Sequence, residues 1–112
     1  MGISTHILDT ALGKPAVGVA ISLARRDGNV WTPLRHVHTD EDGRARHLLP
    51  DNHTLEAGTF RLRFETAAYF AAQGVPGLYP YVDIVFAIDA PAQHYHIPLL
   101  LTPNGYTTYR GS

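Results

Sequence analysis

His94-Tyr95-His96-Ile97-Pro98-Leu99-Leu100-Leu101 is a run of aromatic, branched and long apolar side chains whose polarity alternates along its first half. Successive side chains on a strand point to opposite faces. His94, His96 and Leu100 therefore share one face, while Tyr95, Ile97 and Leu99 share the other, more apolar one that a core would take. Pro98 has no N–H to donate to a ladder, so it predicts an edge position or a bulge within this strand. The same rule places His6 and Leu8 on one face and Thr5, Ile7 and Asp9 on the opposite one. At the C-terminus it groups Thr107 with Tyr109, so that His6, His96 and Tyr109 are all expected on outward faces.

Further runs of this kind recur along the chain between Gly, Pro, Asn and Asp breaks, and together they predict an all-β sandwich or barrel. The expected strands are 5–9, 17–25, 30–39, 46–49, 58–66, 81–88, 95–101 and 105–109. The breaks include Gly13-Lys14-Pro15, Asp27-Gly28-Asn29, Asp40-Glu41-Asp42-Gly43, Pro50-Asp51-Asn52 and Pro103-Asn104-Gly105. Ala67 to Gln73 differs, being rich in alanine and free of β-branched residues, and it predicts a short helix ended by Gly74. With 112 residues there is room for one domain, 1–112, and none for a second. At 45% hydrophobic residues the chain can bury a core without staples, as it must, since it has no cysteine. That zero excludes disulfide frameworks, thiolate metal sites and cysteine nucleophiles.

A net charge of −1 supplies no basic field for phosphate backbones, so no nucleic-acid partner is expected. Apolar runs such as 97–101 are far too short to span a bilayer, and no basic-then-apolar leader opens the sequence. A cytoplasmic protein without a membrane partner is the expectation.

The unusual feature is seven histidines, against a single lysine, Lys14. His94 and His96 have the spacing to reach one metal from one strand face, and His36 and His38 repeat it, but no third ligand is identifiable. His36, His38, His47 and His53 read as solvated loop or strand-end residues. No Gly-x-Ser-x-Gly elbow, Gly-rich phosphate loop or His-Glu-x-x-His helix occurs. What remains is histidine, arginine and hydroxyl chemistry: an imidazole near neutrality can take a proton from water, and an arginine fork can polarise a carbonyl. Arg44, just after the turn Asp42-Gly43, could project such a fork from a rim, although taken alone it reads as a solvated turn arginine. Arg46 shares its face.

Ser4-Thr5-His6-Ile7-Leu8-Asp9-Thr10, Thr39-Asp40-Glu41-Asp42-Gly43-Arg44, His94 to Leu101 and the ending Tyr106-Thr107-Thr108-Tyr109-Arg110-Gly111-Ser112 together resemble the 5-hydroxyisourate hydrolases, the transthyretin-related enzymes. The resemblance runs end to end, and Tyr-Arg-Gly-Ser is the ending that separates the enzymes from the hormone carrier of the same fold. It implies a transthyretin-like β-sandwich of two four-stranded sheets with one short helix, assembled as a homotetramer with sites at subunit interfaces. It also implies hydrolysis of the lactam of 5-hydroxyisourate to 2-oxo-4-hydroxy-4-carboxy-5-ureidoimidazoline in urate degradation, with no metal and no cofactor. Carried over by position, the catalytic residues are His6, Arg44, His96 and Ser112, with His6, Arg44 and Tyr109 binding substrate. His6 and His96 would activate water, Arg44 would stabilise the oxyanion, Tyr109 would narrow the channel, and Ser112 would orient a histidine or the water. Which histidine is the base, and whether Arg46 or His94 assists, the sequence leaves open. A carrier of small aromatic ligands is the competing reading, and a metal-binding His-rich surface protein a third.

Overall fold

Strand β1, Gly2–Asp9, organises one half of the molecule, because both of its edges are paired. The computed structural model describes residues 2–50 and 54–112, so the expected break at Asp51-Asn52 and the solvated reading of His53 lie outside the described residues. Backbone groups of Ile3, Ile7 and Asp9 point to one edge of β1. There they meet the two-residue strands β2, Lys14–Pro15, and β5, Arg44–Ala45, together with Gly43 and Leu48. The other edge of β1 carries β8, His94–His96, and β9, Leu99–Thr102, both parallel to it. Strand β10, Gly105–Thr108, closes that side antiparallel to β9.

The sheet contains six hydrogen-bonded segments but is four strands wide, since β2 with β5 and β8 with β9 each occupy one position beside β1. The strand expected over 95–101 is split at Ile97-Pro98, as the missing proline N–H requires. The second sheet is an antiparallel four-stranded one in the order β4, Val30–His38; β3, Ala20–Asp27; β6, Gly58–Phe64; and β7, Val82–Ile88. Its inward residues Ile21, Leu23, Phe60, Leu62 and Phe64 meet Ile3, Ile7, Leu99 and Leu101 of the first sheet, all at most 1% exposed. These apolar faces make the sandwich, since burying them is the main favourable term in folding.

Four local expectations are corrected. Strand β3 starts at Ala20 rather than residue 17, because the chain turns through Gly18 at φ +75°. The strand expected at 46–49 is instead β5, Arg44–Ala45. Past it, Arg46 and His47 lie exposed and only Leu48 returns to hydrogen-bond β1. Lys14–Pro15, expected as part of a break, pairs with Leu8 and Asp9. The helix α1 forms at Thr66–Ala71, one residue earlier than expected, and Gly74 ends its turn at φ +69°. Buried Asp9 ties α1 to β1: its carboxylate accepts from the Tyr69 hydroxyl (2.8 Å) and from the N–H groups of Ala11 and Leu12. No helix is long and apolar enough to cross a membrane among the described residues.

Candidate active site

The outward face of β1 and β8 forms the floor of an open cleft of about 330 Å³, lined by Ser4, Thr5, Arg44, Arg46, His47, His94, His96 and Ser112. Three chain segments far apart in sequence are brought there by ladder register. Ser4 lies opposite His96 and Gly2 opposite His94 in the parallel pairing of β1 with β8. Arg44 lies directly opposite His6 in the antiparallel pairing of β5 with β1, which sets His6 beside the cleft.

Arg44 is aimed by the turn before it. The Asp40 carboxylate accepts hydrogen bonds from the Arg44 and Asp42 N–H groups, both 2.9 Å, and these bonds hold its pKa below the usual carboxylate value, the one from Arg44 most strongly. Gly43 is obligatory in that turn: its φ is +73°, and a Cβ there would come within 2.5 Å of the Ile7 carbonyl oxygen. That approach is also what allows the Ile7 N–H to donate to the Gly43 carbonyl at 2.8 Å.

The C-terminus reaches the cleft by folding back on β8. The Gly111 N–H donates to the His96 carbonyl at 2.8 Å, forming an isolated antiparallel bridge that delivers Ser112 to the site. Only a glycine fits at this bridge, since a Cβ on Gly111 would stand 2.6 Å from His96 Cδ2 and 3.2 Å from Pro98 Cγ.

Inside the cleft, Ser4 is the connecting group. Its Oγ stands 2.7 Å from His94 Nε2 and 2.8 Å from His96 Nδ1, while its side chain is buried. Burial pushes the His96 pKa below its ordinary value, and the positive charges of Arg44, His6 and His94 act in the same direction. Burial lowers His94 likewise. Two imidazoles held neutral near physiological pH, next to an arginine fork, can accept a proton from water while the guanidinium stabilises a developing oxyanion.

Of the residues singled out from sequence, Arg44, His96 and Ser112 line this cleft, and His6 flanks it across the ladder. Tyr109 lies elsewhere. It is 54% exposed and lines a second groove with Ile84, Phe86, Tyr95, Ile97 and Arg110, between the edge strand β7 and the start of β8. Strand β10 ends at Thr108, so the alternation that put Tyr109 on the same outward face as His6 and His96 no longer holds one residue on. Sequence reasoning missed three members of the cleft: Thr5, placed by alternation on the opposite face, His47 and Ser4. His47, read as a solvated residue, is exposed but lines it with Arg46. Ser4 carried no signal beyond its period-two relation to His6, which places both on one face of β1. His36 and His38 remain exposed on β4, their rings edge to face at 5.4 Å. Among the described residues no three His, Asp or Glu side chains are grouped to hold a metal ion.

Comparison with known proteins gives consistent matches. A family model described as the HIUase/Transthyretin family matches residues 3–111. The chain is 47% identical over 115 aligned residues to 5-hydroxyisourate hydrolase of Caulobacter vibrioides, covering 99% of this chain and 98% of the relative. Among solved structures, that of Klebsiella pneumoniae 5-hydroxyisourate hydrolase superimposes with a TM-score of 0.87 at 38% identity over the whole of both chains. Sea bream transthyretin in complex with thyroxine superimposes with a TM-score of 0.92 at 31% identity, covering 99% of this chain and 95% of that one.

Proposed function

We infer the activity from the family and the cleft together: the chain belongs to the HIUase/transthyretin family, and we propose that it hydrolyses 5-hydroxyisourate. The observation that carries this reading is the convergence of His96, Arg44 and Ser112 in one cleft, with His6 beside it. A carrier that only encloses an aromatic ligand has no need of two pKa-lowered imidazoles and an arginine fork around a polar cleft. The relatives named as hydrolases at high identity favour the enzyme over the carrier.

In the proposed reaction, a water held by His6 and His96 loses a proton to one of them as its oxygen attacks the lactam carbonyl. Arg44 donates to the carbonyl oxygen as negative charge develops there. Collapse of the tetrahedral adduct breaks the C–N bond, and the imidazolium returns its proton to the departing nitrogen, leaving a ring-opened carboxylate, 2-oxo-4-hydroxy-4-carboxy-5-ureidoimidazoline. Ser112, which lines the cleft, orients the water or a histidine. The chemistry asks for no metal and no cofactor, because the base and the oxyanion donor are both side chains of this chain.

The proposed assembly is a homotetramer, in which the outward faces carrying His6, Leu8, His96 and Leu100 meet across a symmetry axis and form a channel. Half-buried leucines on an outward face beside a polar site fit such an interface. Tyr109 sits outside the cleft of its own chain, so its contribution to substrate binding depends on this assembly.

The deciding experiment generates 5-hydroxyisourate from urate and follows its decay by ultraviolet absorbance, with and without the full chain. Accelerated decay that is lost in His96→Ala and unaffected by a chelator supports the reading. A decay rate equal to the spontaneous one overturns it. Light scattering coupled to the same kinetics tests the assembly, and a fully active monomer would refute the channel.

A further inference from the structure

Ser4 stands between two imidazole nitrogens at hydrogen-bonding distance from both, 2.7 Å to His94 Nε2 and 2.8 Å to His96 Nδ1. A hydroxyl has one proton to give and lone pairs to accept with, so it cannot donate to both rings at once. One ring must donate an N–H to Ser4 Oγ and the other must receive the Ser4 proton on a bare nitrogen. The two tautomers are thereby locked to each other. Of the two arrangements, only one leaves His96 useful as a base. If His96 Nδ1–H donates to Ser4 and Ser4 donates to His94 Nε2, then His96 Nε2 carries the free lone pair. The reverse arrangement puts the proton of neutral His96 on Nε2 and removes that lone pair.

We propose that Ser4 is a positioning residue that, with His94 as its acceptor, holds His96 in the Nδ1–H form and frees Nε2 to take the proton of the attacking water. This rests on the hydrolase reading given above for its catalytic meaning, though not for the tautomer itself. When His96 Nε2 gains a proton, the ring becomes an imidazolium whose Nδ1–H still donates to Ser4, and the Ser4 proton still points at His94. No group of the relay is left unpaired in either protonation state. The role resembles that of the partner on the second nitrogen of a catalytic imidazole, which fixes tautomer and ring plane at once.

The backbone explains why this serine is suited to the task. Ser4 lies in the middle of β1, paired on both edges, and its carbonyl accepts the Ile97 N–H at 2.9 Å. The hydroxyl is thus carried on a rigid ladder rather than on a loop, and the i, i+2 spacing of His94 and His96 puts both rings on its face. The His-x-His spacing that first suggests a metal pair acquires a second explanation, as the two ends of a three-residue hydrogen-bond chain.

The test combines spectroscopy with kinetics on the full chain. Two-bond 15N–1H spectra of the labelled protein above pH 7, assigned with His94→Gln and His96→Gln variants, are expected to show both rings protonated on Nδ1 and bare on Nε2. In Ser4→Ala the Nδ1–H population of His96 falls, and kcat drops roughly 10- to 100-fold with KM nearly unchanged, the range seen when the partner orienting an imidazole is removed. The acid limb of the pH profile moves to lower pH, because the imidazolium has lost an acceptor. Ser4→Thr, which keeps the hydroxyl, recovers both readouts. Should Ser4→Ala fold poorly, the outer end of the relay serves instead: His94→Leu lowers kcat in the same way, and His94→Gln, with an oxygen to accept the Ser4 proton, recovers it. Neutral His96 found protonated on Nε2, or a Ser4→Ala protein with wild-type spectra and kcat, overturns the proposal. A wild-type chain that does not speed 5-hydroxyisourate decay refutes the hydrolase reading alone, because the tautomers are read without substrate.

Discussion

Substituting Gly111 by alanine adds one methyl group where the chain end crosses the ring of His96, 2.6 Å from Cδ2 and 3.4 Å from Cγ. Carbon atoms at that distance cannot persist, so either the ring or the tail must move. Moving the ring breaks the Ser4 to His96 hydrogen bond, about 0.5–1.5 kcal/mol, and forces an off-rotamer side chain, about another 0.5–1.5 kcal/mol. Lifting the tail breaks one hydrogen bond, Gly111 N–H to the His96 carbonyl, and releases two terminal residues whose ordering costs roughly 1–2 kcal/mol each in backbone entropy. The tail therefore moves. Stability should fall by no more than about 1 kcal/mol, since the entropy regained by two freed residues at least matches the single lost bond. Activity should fall much further, because Ser112 leaves the cleft with its hydroxyl. A hydrogen bond from that hydroxyl to the charged group formed in the reaction is worth about 1.5–3 kcal/mol, so kcat/KM should drop roughly 10- to 150-fold. The assay is ultraviolet decay of freshly generated 5-hydroxyisourate, run beside thermal unfolding and beside a chain truncated after Arg110. Gly111→Ala should match the truncation in rate and the wild type in melting temperature. Wild-type turnover in Gly111→Ala, or a melting loss of several kcal/mol without loss of rate, would refute the argument.

Arg44→Ala should lower kcat/KM by roughly 100- to 1,000-fold, as expected for loss of an oxyanion donor, and Arg44→Lys should recover only part, lacking the planar fork. The pH profile follows from the His96 shift: the folded-state pKa lies below 6.5, the ordinary value, so the base stays neutral at pH 7 and the acid limb of kcat/KM falls below pH 6.5. The same depressed pKa means that the unfolded chain binds this proton more tightly, so the contribution to stability declines as pH falls through 6.5 toward the folded pKa. Titrating the His96 ring by NMR alongside chemical unfolding at several pH values checks both, and a midpoint above 6.5 would contradict them. Gly43→Ala should destabilise by at least about 2 kcal/mol, combining a left-handed backbone with a steric clash on the Ile7 carbonyl. Denaturant unfolding measures this, and a loss under 0.5 kcal/mol, roughly the scale of an ordinary surface change, would show that the turn relaxes freely.

Alternation was sufficient to place most of the chain in strands, because a sandwich strand buries one face and leaves the other wet. The inward set Tyr95, Ile97 and Leu99 is buried and the outward His96 and Leu100 only partly so, as period two requires. The rule weakens where local pairing is short. Lys14–Pro15 and Arg44–Ala45 are two-residue strands that form only because β1 offers unpaired backbone at Thr5, His6, Leu8 and Asp9. Nothing within either dipeptide carries a period, so their placement was beyond reach of pattern reading. Tyr109 fails for a related reason: alternation applied one residue past the last ladder pair, Thr108 with Leu99, has no strand left to act on.

For the site, the sequence by itself determined the chemical inventory: no thiol, many imidazoles, an arginine after an Asp-Gly turn, and a chain end that resembles one enzyme family. It also determined that His6 and His96 face outward, since that needs only the period of a strand. What the tertiary structure decided is adjacency. Residues 4, 44, 96 and 112 meet because β1 pairs on one edge with β8 and on the other with β5, and because Gly111 alone lets the chain end pass over His96. Register is a property of two strands together and of the turns that fix them, so no single stretch encodes it. The Ser4 contacts with both histidines follow from that register, and for this reason a serine unremarkable in sequence stands at the centre of the cleft.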